Sequence, residues 1–156
     1  MMTLGEIAAT PIREVANREP VRLSADTPLI EVVEALRDQG RGAALIEDGG
    51  QLVGVFTERD VLKRIDHSDH AWHSRPVRDV MTKAPTSIKA EQTLRDAIDL
   101  MIAGEFRNIP IVDDVGGLVG VLSIRDVLAH IVEHFPADFL NLPPDPAHEA
   151  SEPWGG

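Results

Sequence analysis

The chain has 156 residues, a hydrophobic fraction of 43%, no cysteine and a formal net charge of -11 at pH 7. The negative charge disfavours nucleic acid and anionic lipid, and the lack of cysteine excludes disulfides and cysteine-ligated zinc. Because no apolar run approaches 18 residues and no leader sequence opens the chain, we expect a cytoplasmic protein that makes no contact with a membrane.

The first part of the chain predicts a lead-in followed by one α+β unit. Residues 1–19 form the lead-in, with a short helix around 7–9. The unit itself covers residues 20–65. The elements expected in it are a strand at 21–23, a helix capped by Asp26 or Thr27 with Pro28 in its first turn, strands at 43–47 and 52–57 around a tight hairpin, and a helix at 58–65.

A second unit follows a polar linker and has the same order of elements. Residues 66–75 show no hydrophobic periodicity and are predicted to be the linker. The unit covers residues 76–134, with a strand at 86–88, a helix at 92–103, strands at 108–112 and 118–122, and a helix from 125 to 133 or 135. Residues 135–156 are acidic and rich in proline, so we expect a largely disordered tail.

The two units are copies of one another. Residues 54–62 (GVFTERDVL) return as residues 120–128 (GVLSIRDVL), an offset of 66. Pro20 and Pro85 match at an offset of 65, so one residue is gained near 105–106. A repeat of this length predicts two copies of one supersecondary unit. Since about 60 residues are marginal as an isolated domain, the copies must share a core or an interface.

Each copy keeps a hydroxyl and a carboxylate where a strand leads into a helix: Thr57 with Asp60, and Ser123 with Asp126. A helix N-terminus favours an anion such as phosphate, because its first N–H groups are unpaired and its dipole end is positive. A carboxylate one turn further on can accept two hydrogen bonds from the diol of a ribose. The pattern therefore indicates a nucleotide site. The alternative is that these residues only cap their helices.

The motif Gly-hydrophobic-hydrophobic-Thr/Ser-x-x-Asp resembles the signature of the cystathionine-β-synthase (CBS) domain, as do residues 79–82 (DVMT) and 107–113 (RNIPIVD). The resemblance covers residues 10 to 133, and two tandem copies form a Bateman module. It implies an α+β fold of two CBS repeats, each a three-stranded sheet with two packed helices, related by an approximate two-fold axis. It also implies an adenosyl ligand (AMP, ADP, ATP or S-adenosylmethionine) in clefts between the two sheets.

The resemblance also implies roles for residues at matching positions. The ribose ligands would be Asp60 and Asp126, the hydroxyls near the phosphate Thr57 and Ser123, and the adenine contacts Ile109 and Pro110 with Ala43 and Ala44 in the first copy. Sign and proximity nominate as phosphate counter-charges Arg59, Arg125, Arg107 and Lys83, although a surface ion pair explains any one of them equally well. Because the second copy keeps the fuller motif, we expect Asp126 to matter more than Asp60.

Two histidine patterns suggest metal chemistry, and we expect neither to hold a metal. Residues 130–134 (HIVEH) fit the inverted zinc-protease motif, but the only further ligand nearby in the sequence is His148 of the tail. The linker contains the ligand types Asp66, His67, Asp69, His70 and His73, which a polar linker explains more simply.

We therefore expect a non-catalytic regulatory module that binds an adenosyl ligand between its repeats and signals in trans to an unidentified protein, since no catalytic domain is fused to it. The alternative is a structural dimerisation module whose clefts stay empty, which the negative charge would also fit. A homodimer packed through helices is expected, because each half is too small to bury all its apolar stripes. The surfaces expected to meet contain Val32, Leu36, Ile98, Met101, Val127 and Ile131.

Overall fold

The computed structural model describes residues 2–135, so all of the predicted tail except Phe135, with His148, lies outside the described residues. Six α-helices and six strands are present within that range. In chain order they are α1 (Leu4–Ala8), α2 (Ile12–Val15), β1 (Val21–Ser24), α3 (Leu29–Gln39), β2 (Ala43–Asp48), β3 (Gln51–Thr57), α4 (Glu58–Arg64), β4 (Thr82–Lys83), α5 (Leu94–Gly104), β5 (Asn108–Val112), β6 (Leu118–Ser123) and α6 (Ile124–His134).

The first helix of each repeat starts slightly later than the sequence predicted. Pro28 is itself the N-cap of α3, with extended backbone and no side-chain capping bond, so neither Asp26 nor Thr27 caps this helix. Gly40 ends α3 with a φ of 60°, a left-handed conformation that glycine adopts without strain. In the second repeat Thr93 caps α5 and the helix begins at Leu94 rather than at residue 92.

The first sheet has four strands where three were predicted, in the order β1-β2-β3-β4. Strand β1 pairs in parallel with β2, and β2 forms an antiparallel hairpin with β3. The fourth strand comes from the segment that leads into the second repeat, where Thr82 pairs with Val55 and Lys83 with Gly54. The second repeat therefore contributes an edge to the sheet of the first.

The second sheet has two full strands, β5 and β6, in antiparallel pairing. The strand predicted at 86–88 is reduced to one parallel bridge between Ile88 and Ile111. The Ile88 N–H donates to Pro110 O and the Val112 N–H donates to Ile88 O, both at 2.9 Å. Ala84, four residues before Ile88, has a φ of 46°.

Each repeat has its own hydrophobic core, and each core is completed by a segment that precedes the other repeat. Ile12 and Val15 of the lead-in pack in the second core with Leu94 and Ala97 of α5, among others. Residues 77–81 supply Val77, Val80 and Met81 to the first core, with Leu29 and Val32 of α3 among its other members. The exchange is reciprocal, as an approximate two-fold relation between the repeats requires.

The dimer surfaces expected on these helices stay a prediction, but most of the side chains named for them are buried within the chain. Val32, Leu36, Met101 and Val127 are buried in the cores of their own chain and are not available to another. Ile98 and Ile131 are partly buried and pack against the second core. The exposed apolar side chains on the outer faces of α4 and α6 are instead Leu62, Leu128 and Val132.

The linker is more ordered than its composition predicted. Residues His70–Ser74 form a 3₁₀ turn, and Trp72 packs against the first core. Among residues 2–135, no helix combines the length and apolar character needed to cross a membrane.

Candidate functional site

The paired hydroxyl and carboxylate of each repeat form a reciprocal helix cap. The Asp60 N–H donates to Thr57 Oγ1 at 3.3 Å, and the Thr57 N–H donates to Asp60 Oδ2 at 2.9 Å. Ser123 and Asp126 make the same two bonds at 3.2 and 2.9 Å. One oxygen of each carboxylate is therefore committed to its own helix, which gives the capping alternative a direct structural basis.

Capping alone does not explain why these two carboxylates are buried. Thr93 and Asp96 form an identical capping box at the start of α5, and that box is exposed. Asp60 and Asp126 are buried, although burial of a carboxylate costs free energy that a surface cap does not incur. The helix starts of the motif are thus placed against other parts of the chain for a reason beyond capping.

The expectation that the first N–H groups of these helices are free for an anion is wrong for two positions in each. The Glu58 N–H donates to Gly42 O at 3.1 Å, and the Ile124 N–H donates to Arg107 O at 2.8 Å. The N–H groups of Asp60 and Asp126 are taken by the capping hydroxyls. A phosphate near these helices would therefore depend mainly on side chains.

One cavity of about 390 Å³ lies between the two repeats and contains the first motif. It is bounded by the end of β3 and the start of α4, by β4 with the residues after it, and by the loop between α5 and β5. Its lining consists of Val55, Thr57, Arg59, Asp60, Thr82, Ala84, Pro85, Thr86, Gly104, Glu105, Phe106, Arg107, Asn108 and Pro110.

The cavity brings together five of the residues that the sequence nominated. These are Thr57, Arg59, Asp60, Arg107 and Pro110. The nominated residues outside its lining are Ser123, Asp126, Arg125, Ile109, Ala43, Ala44 and Lys83. Ile109 and Ala44 fill the two cores instead, because successive side chains of a strand point to opposite faces, and in β5 it is Asn108 and Pro110 that face the cavity.

The loop between α5 and β5, with the first residue of β5, contributes residues that the sequence did not nominate. Glu105 ends α5 with a φ of 55°, and Phe106 and Asn108 follow it in the cavity wall. The residue gained near 105–106 was the available signal, since an insertion in one copy marks a loop whose shape differs from its counterpart. Thr82 and Thr86 also line the cavity. The sequence did not nominate them, because strands were predicted from their apolar residues and these two side chains are polar.

The second carboxylate oxygen of each motif makes an ion pair, and the two partners differ in origin. Asp60 Oδ1 lies 3.3 Å from Nε of Arg64, one turn along the same helix, and Arg64 donates from Nη1 to Val80 O at 2.9 Å. Asp126 Oδ1 lies 3.2 Å from Nε of Arg18, which belongs to the lead-in. The Asp60 side chain is 12% exposed and that of Asp126 only 3%.

The charges around the cavity are balanced. Arg59 and Arg107 supply two positive charges, and Asp60 and Glu105 supply two negative ones. Threonine hydroxyls and the Asn108 amide add hydrogen-bonding groups, while Phe106 and Pro110 add apolar surface, among other lining residues. No imidazole or thiol is among the lining residues. The arrangement is suited to binding an amphipathic, hydroxyl-bearing small molecule.

The histidines of α6 form a separate feature. His134 Nδ1 lies 3.0 Å from His130 O, and the buried Nε2 atom of His130 has no hydrogen-bond partner. Burial, and then the positive charge of His134, lower the pKa of His130, against the opposing charges of Glu133 and Glu14. In the described part of the chain, no group of three or more His, Cys, Asp or Glu side chains is placed to hold a metal ion.

Two α+β repeats with exchanged lead-ins and a cleft between them define a tandem-repeat module. The sequence model of the family described as CBS domain matches residues 12–67 and 77–133. The chain therefore belongs to the CBS domain family and contains two tandem copies of the domain. The resemblance of the Gly-hydrophobic-hydrophobic-Thr/Ser-x-x-Asp motif and the predicted α+β fold class are both confirmed.

Similar proteins agree with this assignment. The chain is 27% identical over 126 residues to an uncharacterized 17.7 kDa protein of Acidianus ambivalens, covering 80% of this chain and 75% of that one. The chain spans only 60% and 17% of the length of two other relatives. The functions of those longer proteins therefore do not carry over to this chain.

Two solved structures share its fold at more than a quarter sequence identity. The CBS-domain containing protein ATU1752 from Agrobacterium tumefaciens is 28% identical with a TM-score of 0.69, covering 77% of this chain and 98% of that one. The CBS domain protein PAE2072 from Pyrobaculum aerophilum, complexed with AMP, is 26% identical with a TM-score of 0.66, covering 79% and 98%.

Proposed function

We propose that the chain is a regulatory module that binds an adenosyl ligand, and an adenine nucleotide first among these, in the cleft beside Asp60. The observation that carries the proposal is the cavity that joins Thr57 and Asp60 of the first repeat to Thr82 and Arg107 on the side of the second. Its volume of about 390 Å³ lies in the range of small-molecule sites. The AMP complex of the similar Pyrobaculum aerophilum protein supports the choice of ligand class.

The lining residues suit the three parts of a nucleotide. Asp60 lines the cavity while its ion-pair partner Arg64 does not, so the carboxylate can accept hydrogen bonds from the ribose diol. Phe106 and Pro110 offer apolar surface to the adenine ring. A phosphate would be held by the guanidinium groups of Arg59 or Arg107, since charged donors make the stronger hydrogen bonds to phosphate.

The balance of charge around the cavity favours ligands with little net charge. Two arginines face two carboxylates, so a triphosphate would bring negative charge that the lining does not neutralise. The chain as a whole carries a formal net charge of -11, which opposes the approach of any polyanion. We therefore rank AMP and S-adenosylmethionine above ADP, and ADP above ATP.

Regulation follows from the position of the cleft between repeats. A ligand that contacts both repeats shifts the equilibrium between their arrangements by the difference in its affinity for each. In this proposal the shifted arrangement is the signal that a partner protein reads in trans.

The test is calorimetric titration of the dialysed protein with AMP, ATP and S-adenosylmethionine. Asp60→Ala should weaken the best ligand about 10- to 100-fold, because hydrogen bonds to a charged group contribute roughly 1.5–3 kcal/mol. Asp96→Ala is the matched control, since it removes an identical capping bond on an exposed helix start. Equal affinity in the two variants would leave Asp60 with a capping role only and would refute the proposed site.

We also propose a homodimer, on the evidence of exposed apolar side chains. Leu62 and Leu128 occupy equivalent positions of the repeat, and both are exposed, as is Val132 one turn beyond Leu128. Leu62 is 80% exposed, so this face of α4 is available to a second chain. This observation is also what favours the alternative function, a dimerisation module with empty clefts.

A further inference from the structure

The two-fold relation between the repeats predicts that the cavity beside Asp60 has a counterpart around Asp126. At the offset of 65, Lys83 corresponds to Arg18 and Thr82 to Asn17. Thr82, Ala84, Pro85 and Thr86 form one wall of the cavity beside Asp60. The matching wall of the second cleft is therefore the stretch around Arg18, between the lead-in helix α2 and strand β1.

Arg18 uses this position to contact the carboxylate of the second motif. Its Nε atom lies 3.2 Å from Asp126 Oδ1, and the Asp126 side chain is only 3% exposed. The other oxygen, Oδ2, accepts the N–H of Ser123 at 2.9 Å. Both carboxylate oxygens thus have partners from within the chain, and a ribose diol could reach Asp126 only by displacing Arg18.

The ion-pair partner of the first motif does not stand in the cleft. Nε of Arg64 lies 3.3 Å from Asp60 Oδ1 along the same helix, and Arg64 also donates to Val80 O. Asp60 lines the cavity and Arg64 does not. The residue that corresponds to Arg18 is Lys83, whose side chain is exposed and outside the lining.

We infer that Arg18 is an internal competitor that occupies the second cleft and closes the Asp126 site, so that the chain binds one ligand, at Asp60, rather than two. The Arg18 side chain is 40% exposed and lies outside helix and strand, so its removal breaks an ion pair and leaves both cores intact. Without it Oδ1 of the buried Asp126 carboxylate is left unpaired and free to accept a hydrogen bond from a diol. The inference rests on the proposed function only for the class of ligand.

The experiment isolates the second cleft by using Asp60→Ala as the background. AMP is titrated calorimetrically into Asp60→Ala, into Asp60→Ala with Arg18→Ala, and into Asp60→Ala with Arg13→Ala. Arg13 is an exposed lead-in residue, so its replacement makes the same change in net charge without touching Asp126. Removing Arg18 should tighten AMP binding about 10- to 100-fold, because the ligand then gains a hydrogen bond to the charged Asp126 carboxylate. Removing Arg13 should leave it unchanged.

Further variants keep the result interpretable. Adding Asp126→Ala to the Arg18→Ala protein should abolish the gained site, and Arg18→Lys should keep the cleft closed because the charge can still reach Asp126. Thermal unfolding of each protein confirms that it is folded before titration, and Arg18→Gln replaces Arg18→Ala if the latter does not fold.

The outcomes separate this inference from the proposed function. If wild type binds AMP through Asp60 but removing Arg18 gains nothing, the competitor is refuted and the proposed function stands. If removing Arg18 creates an Asp126-dependent site while wild type binds nothing, the competitor stands and the proposed function fails. If no variant binds AMP, both are refuted. If the Asp60→Ala protein binds AMP and loses it with Arg18, then Arg18 is a ligand contact and the inference is wrong.

Discussion

Gly54 and Gly120 occupy the same position of the repeated motif, yet the structure predicts opposite responses to alanine. A Cβ atom at Gly54 would lie 2.3 Å from Sδ and 2.8 Å from Cγ of Met81. At Gly120 the nearest atom would be Cδ1 of Ile111 at 3.6 Å, an ordinary van der Waals distance. The difference arises because Met81, in the segment exchanged between repeats, packs directly over β3.

The magnitude follows from the packing around Met81. Its side chain is buried in the first core, so a shift large enough to relieve a 2.3 Å contact must disturb its neighbours. Overpacking of this kind costs about 1–3 kcal/mol. Replacing glycine by alanine also stabilises by about 0.4–1 kcal/mol through the unfolded chain, but that gain is common to both sites and cancels. Gly54→Ala should therefore be about 1–3 kcal/mol less stable than Gly120→Ala.

The assay is urea unfolding followed by circular dichroism, with the midpoint compared at unchanged slope. Combining Gly54→Ala with Met81→Ala makes room for the new methyl group, so the double variant should lose less stability than the two single losses added, by about 0.5–3 kcal/mol. If Gly54→Ala and Gly120→Ala unfold at the same urea concentration, the packing of Met81 over Gly54 does not constrain this position and the reasoning is refuted.

Glu105→Gln removes one of the two carboxylates around the cavity. At low salt it should therefore raise the affinity for ATP about fivefold, and raise it more than the affinity for S-adenosylmethionine. Equal gains in affinity for the two ligands in titrations would contradict the charge argument. Leu62→Lys together with Leu128→Lys should lower the mass seen by light scattering from dimer to monomer, and an unchanged mass would rule out this surface. Because the pKa of His130 is lowered by burial, the unfolded chain binds that proton more tightly, and stability should fall as the pH drops below about 6.5. His130→Gln should flatten that loss in melts across pH, whereas His70→Gln, at an exposed position, should not.

The repeat in the sequence carried most of what could be predicted about the fold. An offset of 65–66 residues is enough to align Thr57 with Ser123 and Asp60 with Asp126, and the strand and helix order follows from it. Sheet membership could not be obtained in this way. Thr82 joins the first sheet because the segment after the linker lies against β3, and Ile88 makes only a bridge to Ile111. Such pairings depend on contacts between distant segments.

The sequence predicts the type of the candidate site, and its choice between the two copies stays a prediction that the structure bears on. In the sequence Asp60 and Asp126 stand in equivalent motifs, and the fuller surroundings of Asp126 favoured the second copy. The structure favours Asp60, because Arg18 reaches Asp126 from the far end of the chain while the cavity opens beside Asp60. No local pattern links Arg18 to Asp126. Whether a buried carboxylate is free or already paired is decided by tertiary packing.

The exchanged segments connect the cleft to both cores. Val77 and Met81 lie in the first core, the chain then passes Thr82 and Thr86 in the cavity wall, and it reaches the second core at Ile88. A ligand in the cleft would therefore contact the stretch of chain that spans the two cores. Any change in how the repeats are arranged must move this stretch, because both of its ends are anchored in packed interiors. A ligand bound in the cleft would thus act on the relation between the repeats, as the proposed regulatory function requires.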